Sequence, residues 1–222
     1  MRPTDIHAVD AIGSGLLGTS WRRAWAGVGA AGDGAAAYQE LLARYSEPWR
    51  KYHTVQHLQE CIVTFESAAH MAARAAEVES ALWFHDAVYE LRRNDNEEQS
   101  AHLAQRLLSA AGAAREVAAR IAALVLVTKH TASPQTADEE LLVDIDLSIL
   151  GAAEPRFAEY ERQIREEYAF VPDAMFVEKR RAILQSFIAR PRIYGTQHFH
   201  DLLELPARAN LLRAVGTNAV QR

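Results

Sequence analysis

The chain has 222 residues, of which 49% are hydrophobic; this content excludes an intrinsically disordered protein and allows a substantial core. Its 24 basic residues are interspersed among 29 acidic ones, for a formal net charge of −5, so a nucleic-acid partner is not expected. One cysteine, Cys61, and the lack of an apolar run near the roughly 20 residues of a membrane span favour a cytoplasmic protein.

Glycine and proline cluster at a few places, and the segments between them are rich in Ala, Leu, Glu, Gln and Arg. This composition predicts an all-α protein, and Thr54 is predicted to cap the second helix. In chain order, the predicted helices span residues 35–46, 54–70, 73–90, 95–110, 114–129, 137–150, 155–169, 173–190 and 197–214.

No change in composition marks a linker, so the prediction is a single domain over residues 21–214. A frayed segment is predicted over 1–20 and a tail over 215–222. Residues 155–214 are more charged than the rest, as in EYERQIREEY, and are predicted to form a helical subdomain packed on the core.

Four candidate metal donors stand in apolar surroundings: His57 in KYHTVQHLQE, His85 and Asp86 in LWFHDAVYE, and Asp146 in LLVDIDLSILG. Taken singly, each has an ordinary explanation, because a histidine on an apolar face is more often a hydrogen-bonded core residue. Asp144 is a rival to Asp146. A helical bundle can bring such donors together from inward-facing positions, so the combination predicts a metal site.

The ordered set of histidine, His-Asp doublet and distant aspartate resembles the HD superfamily of metal-dependent phosphohydrolases. YHTVQH is similar to the YHNxxH motif of cyclic-nucleotide phosphodiesterases, and DLS is similar to their ADLS run. A bacterial group of HD phosphohydrolases resembles the chain more closely, over about residues 45–211, through PWRKYHT, ALWFHDAVY, NEEQSA, TKH, DLSILG and ARANL.

The resemblance implies an HD-type helical bundle with additional C-terminal helices. It implies that His57, His85, Asp86 and Asp146 bind metal, that His53 is the general acid, and that Asp86 also serves catalysis. Two imidazoles and two carboxylates suit manganese, iron, nickel, cobalt or zinc better than calcium, with one ion expected.

Two features differ from the phosphodiesterases: Thr54 stands in place of an asparagine, and no HDxxH pattern follows the doublet. A second ion would therefore need His130, which also fits an exposed loop residue. Glu97 is a candidate to accept a hydrogen bond from the ring nitrogen of a ligand histidine that does not bind the metal.

Binding a phosphate ester also requires cations. Lys129 directly precedes His130, and Arg50 and Lys51 directly precede the first histidine motif. These three residues are the predicted substrate-binding cations, although each also fits an ordinary surface charge.

The sequence thus predicts a phosphohydrolase acting on a small-molecule phosphomonoester or phosphodiester, with nucleotides as the expected class and a homo-oligomer allowed. Two alternatives stay open. An HD-type di-iron oxygenase would need further ligands such as His130. A non-catalytic signalling module that binds metal or nucleotide would have no need of His53 as a proton donor.

Overall fold

Helices account for all the regular structure in the part of the chain, residues 12–220, that the computed structural model describes. The prediction of an all-α, single-domain protein is confirmed. The α-helices are α1 (Leu16–Gly27), α2 (Ala35–Tyr45), α3 (Val55–Ala68), α4 (Ala75–Phe84), α5 (Asn96–Ala110), α6 (Arg115–Val127), α7 (Ala137–Asp146), α8 (Glu154–Glu167), α9 (Asp173–Ile188) and α10 (Gln197–Val220). Short 3₁₀ segments, Ala69–Met71 and Leu147–Gly151, follow α3 and α7.

The first helix was not predicted, and the expectation of fraying over 1–20 is wrong for residues 16–20. Trp21, Ala24 and Trp25 are buried at helical spacing, and the rings of Trp21 and Trp25 stack with centroids 4.9 Å apart. Gly18 makes this helix hard to recognise in the sequence. A Cβ at this position would lie 2.2 Å from the Gly13 carbonyl oxygen, so glycine is needed where the chain enters the helix. Residues 1–11 and 221–222 lie outside the described part.

The central helix is α4, which packs against α1, α3, α5, α6 and α7. Its last residues, Leu82, Trp83 and Phe84, are completely buried, which explains the continuous apolar run LWF. The predicted helix 73–90 is wrong beyond Phe84, because the backbone turns at the His-Asp doublet. The carbonyl oxygens of Asp86 and Ala87 there accept hydrogen bonds of 2.6 and 3.1 Å from Arg50 instead of helical amides.

The C-terminal helices cover one end of this bundle. α8 and α10 pack on the 3₁₀ segment Leu147–Gly151, and α9 packs on α10. Gly151 allows the close contact, since a Cβ there would lie 2.8 Å from the Leu203 Cβ. Among residues 12–220, no helix combines the length and the apolar composition needed to cross a bilayer.

Candidate metal centre and adjoining cavity

The two histidines of the candidate site lie near helix ends, His57 near the N-terminus of α3 and His85 directly after the C-terminus of α4. Thr54 caps α3 as predicted, accepting a hydrogen bond from the Gln56 amide, and His57 lies in the first turn with 2% of its surface exposed. His85 follows the last residue of α4, and its Nδ1 lies 2.7 Å from the Leu82 carbonyl oxygen. Because a carbonyl only accepts, Nδ1 carries the proton, and the lone pair of the neutral ring is on Nε2.

The four donors that the resemblance implies converge in the structure. His57 Nε2 lies 3.1 Å from His85 Nε2, 3.2 Å from Asp146 Oδ1 and 3.5 Å from Asp86 Oδ2. His85 Nε2 lies 3.1 Å from Asp86 Oδ2 and 3.6 Å from Asp146 Oδ1. Metal–ligand bonds of about 2.0–2.2 Å separate neighbouring donors by roughly 3.0–3.4 Å, so the spacing of this cluster fits a bound metal ion.

Cys61 is a further donor that the sequence did not single out as a metal ligand. One donor atom from each of His57, Cys61, His85 and Asp146 lies within 4.8 Å of the others, and this buried group could hold a metal ion. The Cys61 sulfur is 3.7 and 3.8 Å from the two ring nitrogens of His57, so it lies beside the imidazole. Burial, and then the Asp146 and Asp86 carboxylates, raise the pKa of the Cys61 thiol, which makes the sulfur a poorer donor than an ionised carboxylate.

Asp144 and Asp146 have different surroundings although they are two residues apart. Asp144 Oδ1 accepts a hydrogen bond of 2.7 Å from the Gly195 amide, and Oδ2 accepts bonds of 2.8 and 2.7 Å from the Thr196 amide and hydroxyl. Asp144 therefore holds the start of α10. Asp146 is the carboxylate that lies in the donor cluster, and the rival ligand assignment of Asp144 finds no support.

His130 also belongs to the site rather than to an exposed loop. It follows α6 with φ 54°, a left-handed conformation that is uncommon for residues other than glycine. Its Nε2 lies 3.0 Å from Asp146 Oδ2, the carboxylate oxygen that does not contact the other histidines. Asp146 is thereby engaged on both oxygens.

Next to the cluster, His53 is held by a carboxylate that the sequence analysis missed. His53 Nδ1 lies 2.8 Å from Glu167 Oε2, and the His53 ring stacks on Tyr89 with centroids 4.0 Å apart. The other oxygen of Glu167 accepts backbone amide hydrogen bonds of 2.8, 2.8 and 3.0 Å from Lys51, Tyr52 and His53. Glu167 belongs to the charged run EYERQIREEY, but it continues the buried stripe of Tyr160 and Ile164, and that periodicity was the available signal.

The buried charges shift one another's protonation. Burial disfavours ionised Glu167, but the charge and hydrogen bonds of His53 outweigh it and lower the carboxyl pKa to about 2. Burial likewise opposes protonation of His53, yet Asp86 and Glu167 raise the pKa of its imidazole above the ordinary value. For His85, the carboxylates of Asp86 and Asp146 overcome burial and raise the pKa to about 9, so a bound cation would compete with that proton.

We expect Glu167→Gln to remove an acid-dependent part of the stability. The folded-state pKa lies below the ordinary 4.5, at about 2, so the ionised carboxyl stabilises the fold above pH 4.5 and that stabilisation is lost as the pH falls toward 2. The shift corresponds to on the order of 3 kcal/mol. Denaturant unfolding from pH 7 to pH 3 should show a lower free energy of unfolding at pH 7 and a flatter acid limb. Glu166→Gln, at an exposed neighbour, is the matched control, and the same flattening there would contradict the assignment.

The predicted substrate cations have other partners. Arg50 is 3% exposed and donates hydrogen bonds to the carbonyl oxygens of His53, Asp86 and Ala87, so it supports the site's backbone rather than facing a ligand. Lys51 is exposed, and its Nζ donates to the Pro48 carbonyl oxygen.

Lys129 and Glu97, in contrast, both line a cavity beside the donor cluster. Lys129 is paired with Glu98 at 2.5 Å and donates to the Asn94 carbonyl oxygen. No contact of Glu97 with a ligand histidine is found among the described residues. Its predicted hydrogen bond with such a histidine therefore lacks support.

The cavity has a volume of about 570 Å³, within the range of small-molecule sites. His53, Asp86, His130 and Asp146 all line it, so His53 and the carboxylates of the donor cluster face the same space. Apolar side chains from the 3₁₀ segment, the C-terminal helices and the loop between α8 and α9 also line the cavity: Leu147, Ile149, Leu150, Ile164, Val171, Phe176, Ile183 and Phe187.

Comparisons with known proteins identify no relative of this chain. No protein-family model, curated protein or solved structure matches the chain. What the site does chemically is therefore inferred from its side chains and their geometry.

Proposed function

We propose that this chain is a metal-dependent phosphohydrolase that cleaves a phosphomonoester or phosphodiester, with nucleotides as the expected substrate class. The observation that carries the proposal is the juxtaposition of a metal-type donor cluster with a histidine hydrogen-bonded to a buried glutamate, both facing one cavity. A site that only binds metal has no need of the second element.

The metal would be held by His57, His85, Asp86 and Asp146, a nitrogen and oxygen donor set that suits manganese, iron, nickel, cobalt or zinc. Such an ion lowers the pKa of bound water toward about 7 and neutralises charge on the phosphoryl group. Asp86, whose Oδ2 contacts His57 and His85, also lines the cavity, where it can accept a hydrogen bond from water.

His53 supplies the proton for the departing oxygen. Its Nδ1–H is directed to Glu167, which fixes the ring and leaves Nε2 as the atom that transfers a proton. Stacking on Tyr89 restricts rotation of the ring, and 18% exposure of the His53 side chain leaves it accessible from the cavity. Glu167 acts through His53 and is a positioning residue.

A second candidate function is an HD-type di-iron oxygenase, and the position of His130 favours it. His130 Nε2 lies at Asp146 Oδ2, the oxygen that does not contact the other histidines, and supplies the additional donor that such a centre requires. Two irons per chain after aerobic purification, together with a visible absorption band, would support the oxygenase over the hydrolase.

The proposal predicts metal-dependent phosphate release. Purified protein reconstituted separately with manganese, zinc, cobalt, nickel and iron should hydrolyse members of a panel of nucleotides and nitrophenyl phosphate mono- and diesters. Phosphate and nitrophenol release would be measured before and after chelation by EDTA, and chelation should abolish turnover. Absence of turnover with every metal and ester would reject the hydrolase, and tight nucleotide binding without hydrolysis would instead identify a binding module.

A further inference from the structure

The α9 wall of the cavity carries two adjacent cations, Lys179 and Arg180, that no motif of the sequence singled out. Lys179 is exposed and has no hydrogen bond or ion pair with any residue in the described part of the chain. The cavity's other cations differ, since Arg93 is paired with Asp95 and Lys129 with Glu98. Lys179 is therefore available to a ligand.

Arg180 is buried at 7% exposure but is incompletely satisfied. One end of its guanidinium pairs with Glu161, and the group lies over the Tyr160 ring at 4.9 Å from the centroid. Its Nε is buried and has no hydrogen-bond partner among the described residues. Leaving a buried donor of a charged group unpaired costs free energy. An acceptor from outside the described residues would remove this cost for Arg180 Nε.

Tyr52 connects these cations to the metal centre. Its ring lies 4.7 Å from the His57 ring and 4.6 Å from the Tyr160 ring, between centroids. Tyr52 is 4% exposed and is one of the residues that line the cavity, and its hydroxyl is buried without a partner in the described structure. Two buried, unsatisfied donors and one unpaired ammonium thus belong to residues that line the same cavity.

We propose that Lys179, Arg180 and the Tyr52 hydroxyl form an anion-binding subsite that holds a phosphate group of the substrate. All three groups donate hydrogen bonds, two are cationic, and phosphate offers several acceptor oxygens to satisfy them. The assignment to a substrate depends on the proposed function, whereas the binding of an anion at this wall does not. In this proposal, Lys179 and Arg180 take the place of Arg50 and Lys51 as the principal phosphate-binding cations.

Inorganic phosphate, titrated calorimetrically into the metal-loaded full chain, tests the subsite. Lys179→Met and Tyr52→Phe should each weaken phosphate binding about 5- to 10-fold at equal metal content, because each removes one hydrogen bond to a charged group. Lys179→Arg should retain the affinity. Arg181→Met, on the neighbouring residue that does not line the cavity, should change it less than about two-fold.

Unchanged phosphate affinity in Lys179→Met and Tyr52→Phe, or equal weakening in Arg181→Met, would overturn the subsite. Acetate is titrated in parallel as the carboxylate probe, and binding as tight as that of phosphate would overturn the assignment to phosphate. Neither outcome depends on turnover. Weakened phosphate binding in a chain that hydrolyses no ester would retain the subsite and reject the hydrolase, and turnover with unaltered phosphate affinity would do the reverse.

Discussion

Asp146→Asn is expected to lose the bound metal and, with it, ester hydrolysis. Asp146 contacts His57 and His85 through Oδ1 and His130 through Oδ2, so the amide would place one neutral oxygen and one N–H donor among three imidazoles. We expect metal affinity to fall by at least about 100-fold, since even the outer partners of metal ligands contribute 10- to 100-fold. Elemental analysis after dialysis and phosphate release with added metal would measure both effects.

The matched control is Asp144→Asn, on the same helix. Asp144 binds the start of α10 and not the donor cluster, so this variant should lose stability while keeping its metal. Circular dichroism should show that Asp146→Asn remains helical. Full metal retention in Asp146→Asn, or loss of metal in Asp144→Asn alone, would contradict the ligand assignment.

His53→Gln is expected to lower kcat by about 10²- to 10⁴-fold with metal content unchanged, because the variant keeps the donor cluster and removes the proton donor. The acid form of His53 is stabilised by Glu167, so turnover should decline as the pH rises through the raised His53 pKa. In Glu167→Gln this alkaline limb should move to lower pH, a change that a purely structural role of Glu167 would not produce.

Steady-state kinetics from pH 5 to pH 10, with metal analysis of each variant, would measure these effects. His102→Gln, at an exposed position on α5, should leave kcat and the pH profile unchanged. Retained kcat in His53→Gln would show that the proton comes from another group. An unshifted profile in Glu167→Gln would remove Glu167 from the mechanism.

The chain predicts its helices well because helix periodicity is a local property. Thr54 and the apolar stripe after it determine where α3 begins and which face is buried, and His57 lies on that face. The two errors have different causes. Gly18 made α1 hard to recognise. The segment after Phe84 resembled a helix, although the carbonyl oxygens of Asp86 and Ala87 are bound by Arg50, more than 30 residues away in the chain.

The donor cluster could be predicted from the combination of histidines and aspartates in apolar segments, although each residue taken singly has an ordinary explanation. Sequence alone left two carboxylates as rivals for one position. Residues 144 and 146 are about 200° apart around a helix of 3.6 residues per turn, so only one of them can face the histidines. Which one does so depends on how α7 packs, with Asp144 taken up by the amides of Gly195 and Thr196.

The partner of His53 and the residues of the proposed anion subsite were decided by tertiary structure alone. Glu167 meets His53 across 114 residues, and Lys179 and Arg180 reach the cavity because α9 lies against α10. Composition and spacing identify which side chains are capable of chemistry and which helix face is buried. The pairing of charges between distant helices is absent from any local pattern, because it depends on how the whole bundle packs. Burying an unpaired charge costs more free energy than a single helix gains by forming, so the packing must bring the partners together.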